Sequence, residues 1–65
     1  MDLIVNGAPL RFDGATVAVL VAALGYDLRR VAIERNLEIV PRSRLAETPL
    51  APGDRIEIVH FIGGG

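Results

Sequence analysis

The sequence of 65 residues ends Phe61-Ile62-Gly63-Gly64-Gly65, an apolar pair followed by three consecutive glycines. A glycine α-carboxylate has no Cβ beside it, and a glycine run makes a thread thin and permissive enough to enter a narrow enzyme channel. With a pKa of about 3.5 such a carboxylate is ionised at pH 7. It can then attack the α-phosphate of ATP, and a sulfur or nitrogen nucleophile can displace AMP from the resulting acyl adenylate. Gly65 is therefore the candidate reactive residue, and Gly63 and Gly64 are the candidate thread that carries it into a partner's active site. The competing reading of the same residues is an inert, frayed end.

The remaining residue types offer little other chemistry. The absence of cysteine excludes a disulfide framework, a thiolate zinc site and a cysteine persulfide. His60 is the only histidine and cannot build a metal site alone, so no metal site is expected. No nucleophile–base pair, phosphate-binding loop or metal-ligand spacing stands out. The chain reads as a handle on which another protein performs catalysis, with no cofactor of its own. Net charge is -1, with seven basic against eight acidic residues, so bulk attraction to phosphate backbones is missing and nucleic acid is not an expected partner. All seven basic residues are arginine. An activated acyl group on this chain would thus find no lysine of its own to attack. The longest apolar run, Val17 to Leu24, falls short of the roughly 18–20 residues of a membrane-spanning helix. Met1-Asp2 leads straight into a strand pattern without a basic leader, and the expected location is cytoplasmic.

A length of 65 residues allows one small domain, expected over 1–62, with 63–65 as a flexible reactive arm. Without disulfides or a metal, its stability must come from apolar burial, which a hydrophobic content of 51% makes feasible. Leu3-Ile4-Val5, Asn6-Gly7 and Leu10-Arg11-Phe12 predict an N-terminal hairpin. Thr16 is placed to cap a helix whose apolar positions Val17, Leu20, Val21 and Leu24 follow i, i+3, i+4, i+7, and Gly25 is placed to stop it. A capping box would need Glu or Gln at residue 19, which is Val19. Val31-Ala32-Ile33-Glu34, a turn at Asn36-Leu37 and a short return strand Glu38-Ile39-Val40 closed by Pro41 predict a second hairpin. Residues 42–50 connect onward with Leu45 and Leu50 as apolar plugs, and Pro52-Gly53-Asp54 is a turn. The last strand, 55–61, alternates with Ile56 and Ile58 on one face and Glu57, Val59 and Phe61 on the other. Gly7, Gly14, Gly25 and Gly53 all fall where freedom in φ is useful.

This order predicts an α+β fold, a mixed sheet of four to five strands covered on one face by a single helix. The other face is left open, with Val59 and Phe61 near the tail and Ile4 as a candidate third member of an apolar patch. Val59, Phe61 and Ile62 are the candidate partner-binding residues. Strand parity sets His60 with Ile56 and Ile58 at the rim of the core, away from any role as a base. Arg42 and Arg44 read as solvated surface, and Ile39-Val40-Pro41 as a structural edge strand.

The segments Val31-Ala32-Ile33-Glu34-Arg35-Asn36, Ile39-Val40-Pro41-Arg42-Ser43 and Gly53-Asp54-Arg55-Ile56-Glu57-Ile58-Val59, together with Leu50 and the glycine end, resemble the ThiS family of sulfur carriers of thiamine biosynthesis. The resemblance runs over nearly the whole chain and is specific as an ensemble. Leu45 stands where an aromatic residue is frequent in the family, and Val19 where an acidic one is common at the helix start. The resemblance implies a ubiquitin-like β-grasp fold. It further implies that a ThiF-type adenylating enzyme uses ATP and magnesium to activate Gly65. Sulfur from a donor such as a cysteine desulfurase would then make the thiocarboxylate, and the thiazole synthase ThiG would take the sulfur. Two alternatives stay open at this point: a carrier for molybdopterin or tRNA thiolation, and a non-catalytic interaction module with an incidental tail.

Overall fold

The structure, a computed structural model, describes residues 1–62. Five strands and one helix follow in the order β1 (Asp2–Val5), β2 (Ala8–Arg11), α1 (Val17–Ala23), β3 (Val31–Arg35), β4 (Glu38–Val40) and β5 (Arg55–His60). Short 3₁₀ turns at Leu28–Arg30 and Arg42–Arg44 lead into β3 and out of β4.

Both hairpins close through two residues in the left-handed region, whose backbone twist matches that of the flanking strands. In the first these are Asn6 (φ 48) and Gly7 (φ 81), residue types that accept the conformation readily. In the second they are Asn36 (φ 52) and Leu37 (φ 71). Leucine there sets its Cβ against the backbone, and its side chain, 82% exposed, gains no packing in return. Leu37→Gly is expected to stabilise the fold by about 0.5–1 kcal/mol after the extra entropy of an unfolded glycine is counted. Thermal unfolding should register a rise of about 2–8 °C, and a fall would show that the leucine makes a stabilising contact.

The sheet order is β2-β1-β5-β3-β4, so the last strand of the chain occupies the centre. β1 and β5 run parallel, and every other neighbouring pair is antiparallel. Helix α1 covers one face and, with the sheet, buries Leu3, Val17, Leu20, Val21, Val31, Ile33, Leu45, Leu50, Ile56 and Ile58. The α+β expectation holds, with five strands.

A helix of seven residues satisfies few of its own donors, so the surrounding chain must hold it. Thr16 Oγ1 accepts from Val19 N–H at 3.3 Å, as the cap position predicts. The Val17 and Ala18 N–H groups donate to the carbonyls of Thr48 and Leu45, each at 3.0 Å. The connection carrying the two leucine plugs is therefore also what pins the helix start. Two sequence expectations need correction here. The helix ends at Ala23 with Leu24 as its C-cap; the Leu24 N–H still donates to the Leu20 carbonyl at 3.0 Å, but the side chain is 40% exposed instead of buried. Gly14 does not have a positive φ; a Cβ there would strike the Phe12 ring and come within 2.8 Å of Val19 Cγ1, so the requirement is space.

Candidate functional site

The approach to the glycine segment is built by fixing β5 at three points. At its start, the buried Asp54 carboxylate accepts from Arg35 Nε (2.9 Å), Asn36 Nδ2 (2.9 Å) and Ala51 N–H (2.8 Å). Asn36 Oδ1 in turn accepts from Arg55 N–H at 2.9 Å, which ties the tip of the β3–β4 hairpin to the first residue of β5. Burial would push the Asp54 pKa up, but hydrogen bonds from Asn36, Ala51 and Arg35 outweigh it and hold the carboxyl below its ordinary value of 3.8. In the middle, where β1 has already turned away, Asn6 Oδ1 accepts from Ile58 N–H at 2.7 Å and stands in for the missing strand. At the end, Phe61 N–H donates to the Arg30 carbonyl at 2.7 Å and carries the β3–β5 ladder one residue past the strand.

His60 lies on the helix side of the sheet, edge-on to Tyr26 with ring centroids 5.3 Å apart and an interplanar angle of 68°. It packs at a rim, as its parity predicts, and does not face the open sheet. Val59 and Phe61 do share the open side, 57% and 52% exposed, and Ile62 beyond them is 89% exposed. Ile4 does not join this patch. β1 runs parallel to β5 and its Ile4 pairs with Arg55, at the opposite end of β5 from Phe61; the residue opposite Val59 is Ala32. The Leu28–Arg30 turn borders the patch, capped by Asp27, whose Oδ1 accepts from Arg29 N–H at 2.9 Å. Hydrogen bonds from Arg29 hold the Asp27 carboxyl below its ordinary range.

Sequence reasoning missed one exposed apolar residue on this side of the sheet. Ile39, 78% exposed, lies on β4 as the register partner of Glu34. Period-two parity could have found it, because Val40 packs against the core and its neighbour must then point outward. Arg42 and Arg44 are exposed as expected, Arg44 within 3.8 Å of Glu47. The candidate reactive residues Gly63, Gly64 and Gly65 lie outside the described residues. No three potential metal-ligating side chains converge among the described residues, and none of the described helices is long and apolar enough to cross a membrane.

One helix on a five-stranded mixed sheet, with a parallel central pair and the last strand running out into a glycine segment, defines a ubiquitin-like β-grasp domain. A solved structure of the thiamine biosynthesis protein ThiS from Geobacter metallireducens superposes with a TM-score of 0.81 at 38% identity, covering 100% of both chains. The sequence model of the ThiS family matches residues 3–65. The chain belongs to the ThiS family. The sulfur carrier protein ThiS of Bacillus subtilis is 40% identical over 62 residues, taking in 92% of this chain and 94% of that protein. A thiazole synthase of Paramagnetospirillum magneticum is 52% identical over 66 residues, all of this chain but 20% of that protein, so the chain spans a fifth of that relative's length.

Proposed function

We propose that the chain is a sulfur carrier of thiamine biosynthesis whose Gly65 is loaded and unloaded by other proteins. The observation that carries this reading is ThiS-family membership over residues 3–65, a match that includes the glycine segment itself. A ThiF-type enzyme, using ATP and magnesium, joins the Gly65 carboxylate to AMP and releases pyrophosphate. A sulfide equivalent from a donor such as a cysteine desulfurase displaces AMP and leaves the thiocarboxylate. A ThiG-type thiazole synthase then takes the sulfur; that a relative of that name contains a stretch 52% identical to this chain supports the pairing. The chain is a co-substrate in this scheme, and its own residues position the arm: the clamps on β5 fix where the thread leaves the domain. Incubation with the adenylating enzyme, ATP, magnesium and sulfide is expected to raise the intact mass by about 16 Da, sulfur replacing oxygen. An unchanged mass, with an enzyme proven active on another carrier, would reject the reading.

Val59, Phe61 and Ile62 form the docking patch in this proposal. They are exposed and come just before the glycine segment in the sequence, so an enzyme that accepts the thread would cover them. Phe61→Asp is expected to weaken binding to the adenylating enzyme about 30-fold or more, because a desolvated aromatic anchor is lost and a charge is placed where water is excluded. Circular dichroism should stay native, since the ring is half exposed. Unchanged affinity in a titration would remove Phe61 from the interface.

A further inference from the structure

The chain has two asparagines and no glutamine, and both asparagines occupy the same place in a hairpin. Asn6 and Asn36 are the first loop residues of the two tight turns, with φ of 48 and 52. Their side-chain amides are held differently. Asn36 is followed by Leu37, and its amide is tied at both ends: Nδ2 donates to Asp54 Oδ1 and Oδ1 accepts from Arg55 N–H, each at 2.9 Å. Asn6 is followed by Gly7, and only its oxygen is held, by Ile58 N–H at 2.7 Å. Among the described residues neither Asn6 Nδ2 nor the Gly7 N–H has a hydrogen-bond partner, and both residues are exposed. A Cβ on Gly7 would meet nothing within 4 Å, so that residue is open to water and to a dissolved base.

A backbone nitrogen that follows an asparagine can close a five-membered ring onto its side-chain amide, and glycine hinders that closure least. We propose that Asn6-Gly7 is a modification site at which the chain deamidates itself, and that the hairpin keeps the site closed until the turn comes away from β5. Gly7 N loses its proton to a base in the solvent and forms a bond to Asn6 Cγ. The Cγ–Nδ2 bond breaks, and Nδ2 takes up a proton and leaves as ammonia. Water then opens the cyclic imide at one of its two carbonyls. Opening at Cγ leaves aspartate; opening at the main-chain carbonyl leaves isoaspartate, whose backbone runs through the side chain and is one carbon longer.

The closed state follows from the turn. With positive φ at both loop residues, the first has a ψ of about +30°, which in an L-residue sets Cβ nearly anti to the following nitrogen. Cγ, carried by Cβ and held toward β5 by Ile58, cannot then reach Gly7 N. The two products differ in their effect on β5. Aspartate at this position still offers an oxygen to Ile58 N–H. Isoaspartate has its carboxylate directly on Cα, one carbon short, so the middle clamp on β5 is lost.

The test holds the full chain in mildly alkaline buffer, folded or in denaturing urea, and samples it over weeks. Trypsin cleaves after arginine and parts the two sites, Asn6 in residues 1–11 and Asn36 in residues 36–42. A gain of about 1 Da, NH2 replaced by OH, is expected in the first peptide and not in the second. In the folded chain it should be about tenfold slower or more than in urea, because the turn must open first. The isoaspartyl form, separated by chromatography, should exchange the Ile58 N–H faster and melt lower, whereas the variant Asn6→Asp should keep wild-type exchange there. A gain as fast in 36–42 as in 1–11, or none in either state, overturns the site. Equal rates in folded and unfolded chains overturn the closure, and wild-type exchange at Ile58 in the isoaspartyl form overturns the loss of the clamp.

Discussion

A chain lacking Gly64 and Gly65 is expected to gain no mass at all in the sulfur-loading assay while melting within about 3 °C of the full chain. Every buried apolar residue of the described structure lies between Leu3 and Ile58, and every clamp on β5 uses Phe61 or earlier residues. The truncation therefore leaves these contacts in place and removes the proposed reactive residue. The carboxylate of the shortened chain is still an α-carboxylate with the same intrinsic reactivity. It would sit two residues, roughly 7 Å of extended chain, short of the nucleotide. Since acyl transfer depends on holding the reacting atoms about 3 Å apart, a gap of that size abolishes turnover instead of slowing it. Gly64→Val keeps the length and adds a branched Cβ to the thread. It is expected to lower the loading rate about a hundredfold with the partner affinity retained, because the proposed docking residues Val59, Phe61 and Ile62 are untouched. Loading of the truncated chain, read by intact mass, would show that the acyl carbon carrying the sulfur is not at Gly65.

The parts of the fold that were legible in the sequence are those decided locally. Asn6-Gly7 dictates a tight hairpin through its φ values, Thr16 caps a helix through its own hydroxyl, and alternation in 55–60 sets which side chains of β5 face the helix. The misreadings are of another kind. Ile4 was grouped with Val59 because parity gives the face of a strand but not how far along its neighbour it sits; that depends on β1 running parallel to β5, a relation set by the whole topology. Gly25, at φ 89, stops the helix where the sequence placed the stop, but the apolar period does not say that the stripe already turns outward at the C-cap Leu24. The exposure of Ile39 was within reach of parity, but its place beside Glu34 on the open face depends on the order of the strands in the sheet, which no local pattern reveals. Gly63, Gly64 and Gly65 lie outside the described residues, and the chemistry read from their residue type belongs to the function proposed above.

Asp54 gives the largest expected effect on stability, and the sequence showed it only as part of a turn. At 5% exposure it is the one buried charged residue among the described residues, and it accepts from three donors on two separate segments. Its backbone adds a fourth tie, the Asp54 carbonyl accepting from Ile4 N–H at 2.9 Å. Asp54→Ala leaves the Ala51 N–H, the Asn36 amide and the Arg35 guanidinium without their acceptor and is expected to cost about 3 kcal/mol. A domain of this size has about 3–5 kcal/mol in total, so the variant should be largely unfolded at 37 °C by circular dichroism. Asp54→Asn tests the charge with the shape kept. Both carboxylate oxygens face donors, so an amide nitrogen in either position meets another N–H, and about 2 kcal/mol should be lost. The same carboxylate sets the acid limit. Its folded-state pKa lies below 3.8, the value in the unfolded chain, so its contribution is fully present above that pH and disappears as pH falls through the folded-state value. Urea midpoints measured from about pH 5 to about pH 2 should decline in the wild-type chain, and more gently in Asp54→Asn, which has no proton to gain at this position. Equal slopes in the two proteins would assign the acid sensitivity to other carboxylates, and a native melting curve for Asp54→Ala would show that the clamp at the head of β5 is not what holds the central strand in register.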